Sequence, residues 1–238
     1  MEKIYNPIPK VCAVHDMSGF GKVSLTEVIP IMSAMGIEVC PLPTAVLSTH
    51  TYEFTDYTFC DLTEEMPKII AHWKKLGLEF DGVYSGYIGS PGQLEILKDF
   101  MIEAKEKGAL IVVDPVMGDN DLVNRDYYSD KINGMLGGMR ELCGIADIIT
   151  PNVTETCLLI GEKYSGRPVS NAKIKRYLKK LSQLGARHVV ITSVMDSENS
   201  MCVAVYDGDE DRYYKVNCGF VNSCLLYTSP SPRDMRRS

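Results

Sequence analysis

Short apolar runs alternate with amphipathic stretches along this chain, and the alternation has the rhythm of β-α-β units. The apolar run Val11-Cys12-Ala13-Val14 predicts a strand that enters a glycine-bearing loop, Asp16-Met17-Ser18-Gly19-Phe20-Gly21. From Ser24 to Met35 the residues Leu25, Val28, Ile29, Met32 and Met35 recur at helical spacing; Gly36 is placed to stop this helix, and Pro30 inside it predicts a kink. The pattern then repeats with a strand over 37–40, a helix over about 64–76, a strand over 82–87, a helix over about 92–107 and a strand over 109–114. Beyond the loop Pro115–Asp119 and a polar stretch it predicts a helix near 131–142, a strand over 146–150 stopped by Pro151-Asn152, and helices over 154–160 and 171–184. A strand over 187–192 and a hairpin of 201–206 with 211–216 complete it.

Strands alternating with helices of this length predict an α/β fold: a doubly wound, three-layer α/β/α arrangement with a largely parallel central sheet and right-handed crossovers. In such sheets ligands bind outside the carboxyl ends of the strands. Here those ends carry the polar stretches 16–21, 114–119, 150–155 and 192–193, which are therefore expected to converge on one site.

Composition narrows the function. With 238 residues, one large α/β domain over 1–220 is expected. A formal charge of −6 argues against a nucleic-acid or anionic-membrane partner, since either would favour a basic face. The 8 cysteines form no CxxC pair and read as reduced thiols. No signal peptide or membrane-length apolar run is visible, so a soluble cytoplasmic protein is expected. From about Val221 the rhythm stops, and 221–238 reads as a disordered tail that resembles translated adapter sequence foreign to the protein.

Asp114-Pro115-Val116-Met117-Gly118-Asp119 brackets a turn with two carboxylates, which suits Mg²⁺ held through its water shell; the same acids also suit self-capping of a turn. Thr150-Pro151-Asn152-Val153-Thr154-Glu155 opens a helix, where free N–H groups can take phosphate while Asn152 and Glu155 orient metal-bound water; a plain capping arrangement uses the same residues. Thr192-Ser193 could touch a nucleotide phosphate, or simply form a turn. Asp16, Thr51 and Tyr87 offer a carboxylate, a hydroxyl and an aromatic wall to a small substituted ring. Gly21-Lys22-Val23 is not a P-loop, no Ser-His-Asp order appears, and His15, His50, His72 and His188 read as packing or supporting residues.

Taken in order, Val14-His15-Asp16 with Gly19-Phe20-Gly21, Ser48-Thr49-His50-Thr51, Tyr84-Ser85-Gly86-Tyr87, Asp114–Asp119, Thr150–Glu155 and Ile191-Thr192-Ser193 resemble the pyridoxal/pyridoxamine kinases of the ribokinase-like superfamily over about residues 10–218. The resemblance implies transfer of the ATP γ-phosphate to the 5′-hydroxymethyl of pyridoxal, pyridoxine or pyridoxamine, with ATP as co-substrate, Mg²⁺ as cofactor and a homodimer as the usual assembly. It implies Asp16, Thr51 and Tyr87 as ring contacts, Asp114, Asn152, Glu155, Thr192 and Ser193 as the ATP and phosphate shell, and Asp119 with Glu155 at the metal. Hydroxymethylpyrimidine kinase, built on the same architecture, is the nearest rival, and a non-catalytic vitamin- or nucleotide-binding fragment is another. The family's catalytic Asp lies in a Gly-Thr-Gly-Asp segment that starts a helix. No such segment occurs in this sequence, so no catalytic base is assigned, and an impaired polypeptide with core surface exposed on one side of its sheet is expected.

Overall fold

A computed structural model describes residues 8–51, 54–118, 126–163, 168–197 and 200–219. The tail 221–238 and Asp119, expected at the metal, lie outside the described residues. Nine described strands form one sheet: β1 (Lys10–Phe20), β2 (Glu38–Thr49), β3 (Phe59–Asp61), β4 (Gly82–Ser85), β5 (Leu110–Val113), β6 (Ile148–Ile149), β7 (His188–Ser197), β8 (Ser200–Asp207) and β9 (Arg212–Gly219). Their spatial order is β3-β2-β1-β4-β5-β6-β7-β8-β9. From β2 to β7 every pairing is parallel, while β3, β8 and β9 join antiparallel at the two edges.

The chain leaves β1 toward β2 and later returns to β1's other side with β4, so the order reverses between β1 and β4. That reversal is the switch point at which an open α/β sheet forms its crevice. Right-handed crossovers running in opposite directions place their helices on opposite faces. Helix α1 (Leu25–Ala34) accordingly packs on β1 and β2, whereas α2 (Met66–Lys75), α3 (Pro91–Glu106), α4 (Asp126–Ile145), α5 (Val153–Ile160) and α6 (Asn171–Ser182) contact one another in series as a second layer.

The long layer covers Cys12, Val14, Val83, Ile111, Val113, Ile149, Val189 and Ile191, all in the continuous core. The alternate residues face the side that carries only α1 among the described residues. There Leu110, Tyr214 and Val216 are 48%, 45% and 63% exposed.

The structure corrects several boundaries. The segment 16–21, expected as a loop, continues β1 to Phe20, and β2 runs on past 40 to Thr49 to pair with it. Gly19 looked like a turn residue, yet a Cβ there would come 3.0 Å from the Ser48 carbonyl oxygen; its smallness allows strand contact. The turn itself is made at Gly21, with φ of 78°. The two prolines of β2, Pro41 and Pro43, disguised it as a loop; they precede the stretch Ala45–Leu47, where β3 pairs on the outer side, so their missing N–H groups break no described ladder bond. Strand β3, only three residues long, was not anticipated. Pro30 lies within a single helical segment, α1. Strand β7 passes through Thr192-Ser193 instead of turning there.

Candidate functional site

The carboxyl ends of five strands are tied into one row. Gly86 N–H donates to the Val14 carbonyl (3.0 Å), Asp114 N–H to Ser85 (2.8 Å), Thr150 N–H to Val113 (3.0 Å) and Thr192 N–H to Pro151 (2.9 Å). The polar stretches at Asp16 within β1, after β4, β5 and β6, and at Thr192-Ser193 within β7 therefore lie at the same level of the sheet. Four strand spacings of ~4.8 Å put the Asp16 and Ser193 ends about 19 Å apart, with Asp114 midway.

The two acidic loops are stitched together at the centre of this row. Asn152 caps α5: its Oδ1 accepts the Glu155 N–H at 2.9 Å, and Glu155 Oε2 accepts the Asn152 N–H at 2.8 Å, which completes a capping box. The same two side chains reach back to the loop after β5. Glu155 Oε1 accepts the Met117 N–H at 3.1 Å, and Asn152 Nδ2 donates to the Gly118 carbonyl at 3.1 Å. The capping arrangement and the convergence of the two loops are thus one structure. Glu155 is 3% exposed.

Asp114, at the end of β5, acts on some of the same neighbours as Glu155. The Cys143 thiol, beneath the site on α4, is pushed up to about 12 first by burial and then by the charges of Glu155 and Asp114. On the other side, Tyr84 is pushed up to about 12 by burial, then by Asp114 and by Glu27 of α1. Asp114 thus acts on Tyr84 of β4 and on Cys143 of α4. An all-oxygen donor set of this kind fits a hard divalent cation.

Thr192 and Ser193 sit where the β7–β8 register shifts between Ile191 and Val194, and Ser193 has φ of 56°. A bulge of this sort re-aims a side chain at the rim of a sheet. Ser193 is exposed there.

At the crevice between β1 and β4, Asp16 is 6% exposed and accepts a hydrogen bond from Ser18 Oγ at 3.2 Å. It lies at a register shift opposite Thr44 and Ala45 of β2. Tyr87, half-buried, follows β4, and its carbonyl accepts from Thr44 Oγ1 at 3.0 Å across β1. Asp16 and the Tyr87 carbonyl therefore both neighbour Thr44. Thr51 stands exposed two residues past the end of β2, farther out along the extension. Thr44 and Gln93 were not singled out from the sequence, where each is an ordinary polar residue in a strand or a first helical turn.

His15, read as a packing residue, is 4% exposed and stacks edge-on against Tyr84 with ring centroids 4.6 Å apart. Burial lowers its pKa from 6.5 to about 4. Below pH 6.5 the unfolded chain takes up a proton that the folded chain refuses until about pH 4, so the stabilisation is whole above 6.5 and is lost on going down to 4. The loss amounts to about 3 kcal/mol over that window. Urea unfolding at pH 7, 5.5 and 4.5 should show His15→Gln losing less stability with acid than the wild type; parallel pH profiles would contradict this.

A further group, His188, Asp207 and Asp209, brings ligand atoms within 4.8 Å of one another at the opposite edge of the sheet. Arg187 pairs with Asp209, and the Asp209 N–H donates to Asp207 Oδ1, so these residues tie the β8–β9 turn to the start of β7.

Comparison with known proteins agrees with this architecture. Residues 31–223 match the family described as phosphomethylpyrimidine kinase. A Bacteroides thetaiotaomicron protein, provisionally described as a phosphomethylpyrimidine kinase and crystallised with pyridoxal, is 47% identical with a TM-score of 0.82, over 90% of this chain and 74% of its own. A pyridoxal kinase of Deinococcus radiodurans is 27% identical, over 83% of this chain and 67% of its own. Leishmania donovani pyridoxal kinase, solved with ADP and pyridoxamine, shares the fold at a TM-score of 0.78 and 20% identity, over 91% of this chain and 76% of its own. The chain spans about half to two thirds of the length of the curated pyridoxal kinases it matches. With most of its length inside the family match and nearly half its residues shared with a solved relative, the chain belongs to the phosphomethylpyrimidine kinase family, built on the ribokinase-like fold.

Proposed function

We propose that this chain carries the vitamin and nucleotide sites of a vitamin B6 kinase, which moves the γ-phosphoryl group of ATP to the 5′-hydroxymethyl of pyridoxal, pyridoxine or pyridoxamine. The observation that carries this reading is the hydrogen-bonded row of strand ends, with Asp16 at one end, Thr192-Ser193 at the other and the Asp114–Glu155 stitch between them. The pyridoxal bound by the 47% identical Bacteroides protein supports a B6 vitamer as acceptor.

In this reading Asp16, Thr51 and Tyr87 take the pyridine ring at the β1–β4 crevice. Asp114, Asn152, Glu155, Thr192 and Ser193 take the ATP phosphates, and Glu155 and Asp119 would hold Mg²⁺. The cation supplies charge neutralisation on the phosphoryl group, and the helix start at Asn152 adds its positive dipole end. The protein's own contribution is to hold hydroxyl and phosphate in line. We place this kinase in the cytoplasm, as one domain over 1–220 and as a homodimer. No described helix is long and apolar enough to cross a membrane, and the exposed row Met17, Val46 and Cys60 on the outer face of the β1–β2–β3 extension is an available contact surface.

Proton removal from the acceptor hydroxyl has no assigned residue within residues 1–238. Residues 1–238 are expected to bind both pyridoxine and Mg-ATP. Calorimetric titration with pyridoxine and with Mg-ATP, beside a coupled ADP assay, tests this. No pyridoxine binding would refute the vitamin reading, and tighter binding of hydroxymethylpyrimidine would favour the branch for which the family is named.

A further inference from the structure

The segment that carries Tyr87 is held by buried hydrogen bonds from elements distant in sequence. Gln93, in the first turn of α3, is 0% exposed, and its amide is fully used: Oε1 accepts the Gly89 N–H at 2.8 Å, while Nε2 donates to the Thr44 carbonyl at 2.9 Å and to Thr63 Oγ1 at 3.0 Å. Thr44, also 0% exposed, sends its own hydroxyl to the Tyr87 carbonyl at 3.0 Å. Its carbonyl accepts from the Leu62 N–H as well, at 3.1 Å. At the other end of the segment, Gly86 N–H is fixed to Val14.

The stretch 86–89 is thereby drawn across β1 onto β2, where Asp16 lies at the register shift opposite Thr44 and Ala45. We infer that Thr44 and Gln93 are positioning residues for the ring site: they set the distance between the Tyr87 wall and the Asp16 carboxyl, and so govern vitamin affinity without touching the vitamin. The inference rests on the ring-site assignment proposed above. Buried polar groups act this way when every partner is satisfied, because a single loss leaves an orphan that the segment must move to solvate. The nucleotide end of the row shares none of these bonds.

The test uses the 238-residue chain and pyridoxine. Thr44→Val keeps the shape of the side chain and removes only the hydroxyl; Thr44→Ser restores it. Thr44→Val is expected to raise the pyridoxine Kd ~10-fold, the equivalent of one typical net hydrogen bond, while the Mg-ATP Kd stays within ~2-fold. Thr44→Ser should return the pyridoxine Kd to within ~3-fold of wild type. Gln93→Leu, which removes hydrogen bonds to three segments, should weaken pyridoxine binding further, and Thr44→Val decides the question if that variant fails to fold. An unchanged pyridoxine Kd in Thr44→Val, or equal losses for pyridoxine and ATP, overturns the inference. A wild-type chain that binds no pyridoxine brings down the functional reading itself, and this is seen before any variant is made.

Discussion

Glu155→Ala is expected to cost about 3–5 kcal/mol of folding stability. The carboxyl group is 3% exposed and accepts two backbone N–H groups, those of Met117 and Asn152, from two different loops. A hydrogen bond to a carboxylate-type acceptor is worth about 1.5–3 kcal/mol, and truncation leaves both donors stranded where water barely reaches. Glu155→Gln keeps one acceptor but turns an amide donor toward the other N–H, so about 1–3 kcal/mol is expected. Glu95→Ala serves as a control. That carboxylate pairs with Lys98 at 3.2 Å but its side chain is 68% exposed, and its removal should stay within about 0.5 kcal/mol. Urea unfolding of the three variants measures the differences. A loss below about 1 kcal/mol for Glu155→Ala would mean that the loops after β5 and β6 are not stitched as described, and the phosphate site drawn from them would go with it.

That stitch was the most legible part of the site. Asp-Pro after an apolar run and Pro-Asn after another mark strand ends unambiguously, and a cap followed three residues later by Glu is a local signal that needs no tertiary context. Of the two readings the sequence left open, capping or phosphate binding, the structure shows the cap, and the same two side chains hold the Met117-Gly118 backbone with their remaining polar atoms.

The region around the proposed vitamin site was less legible, for reasons that lie in long-range contacts. Gly19 and Gly21 carry the same letter but do different work, one admitting the Ser48 carbonyl and the other adopting positive φ beside the His50 ring. Nothing local distinguishes them. Pro41 and Pro43 break the usual strand pattern because β2 is at that level an edge, a fact set by where β3 docks. Gln93 gives no signal at all. Its burial follows from the segment 86–89 folding back over β1, and that path depends on pairings between residues separated by 49 positions and more along the chain.

Gly86→Ala, the second large effect, is expected to cost about 3–4 kcal/mol and to abolish measurable pyridoxine binding. A Cβ at this position would lie 2.2 Å from His15 Nδ1 and 2.4 Å from its Cε1. The ring has little room to retreat, being 4% exposed and stacked on Tyr84. Overpacking a closed site of this kind usually costs about 1–3 kcal/mol, and more when a rigid ring and a backbone hydrogen bond must move together, as the Gly86–Val14 bond would here. A double-mutant cycle isolates the cause. His15→Ala alone should destabilise by leaving a cavity, but in the double variant the new methyl enters vacated space, so the two losses should fall short of additivity by about 2 kcal/mol. Since Gly86 is the hinge that delivers Tyr87 to the crevice, the double variant should also recover part of the pyridoxine affinity. Strict additivity, or a single-variant cost under about 1 kcal/mol, would show that His15 does not press on the β4 end and that the crevice at the switch point is looser than this packing requires.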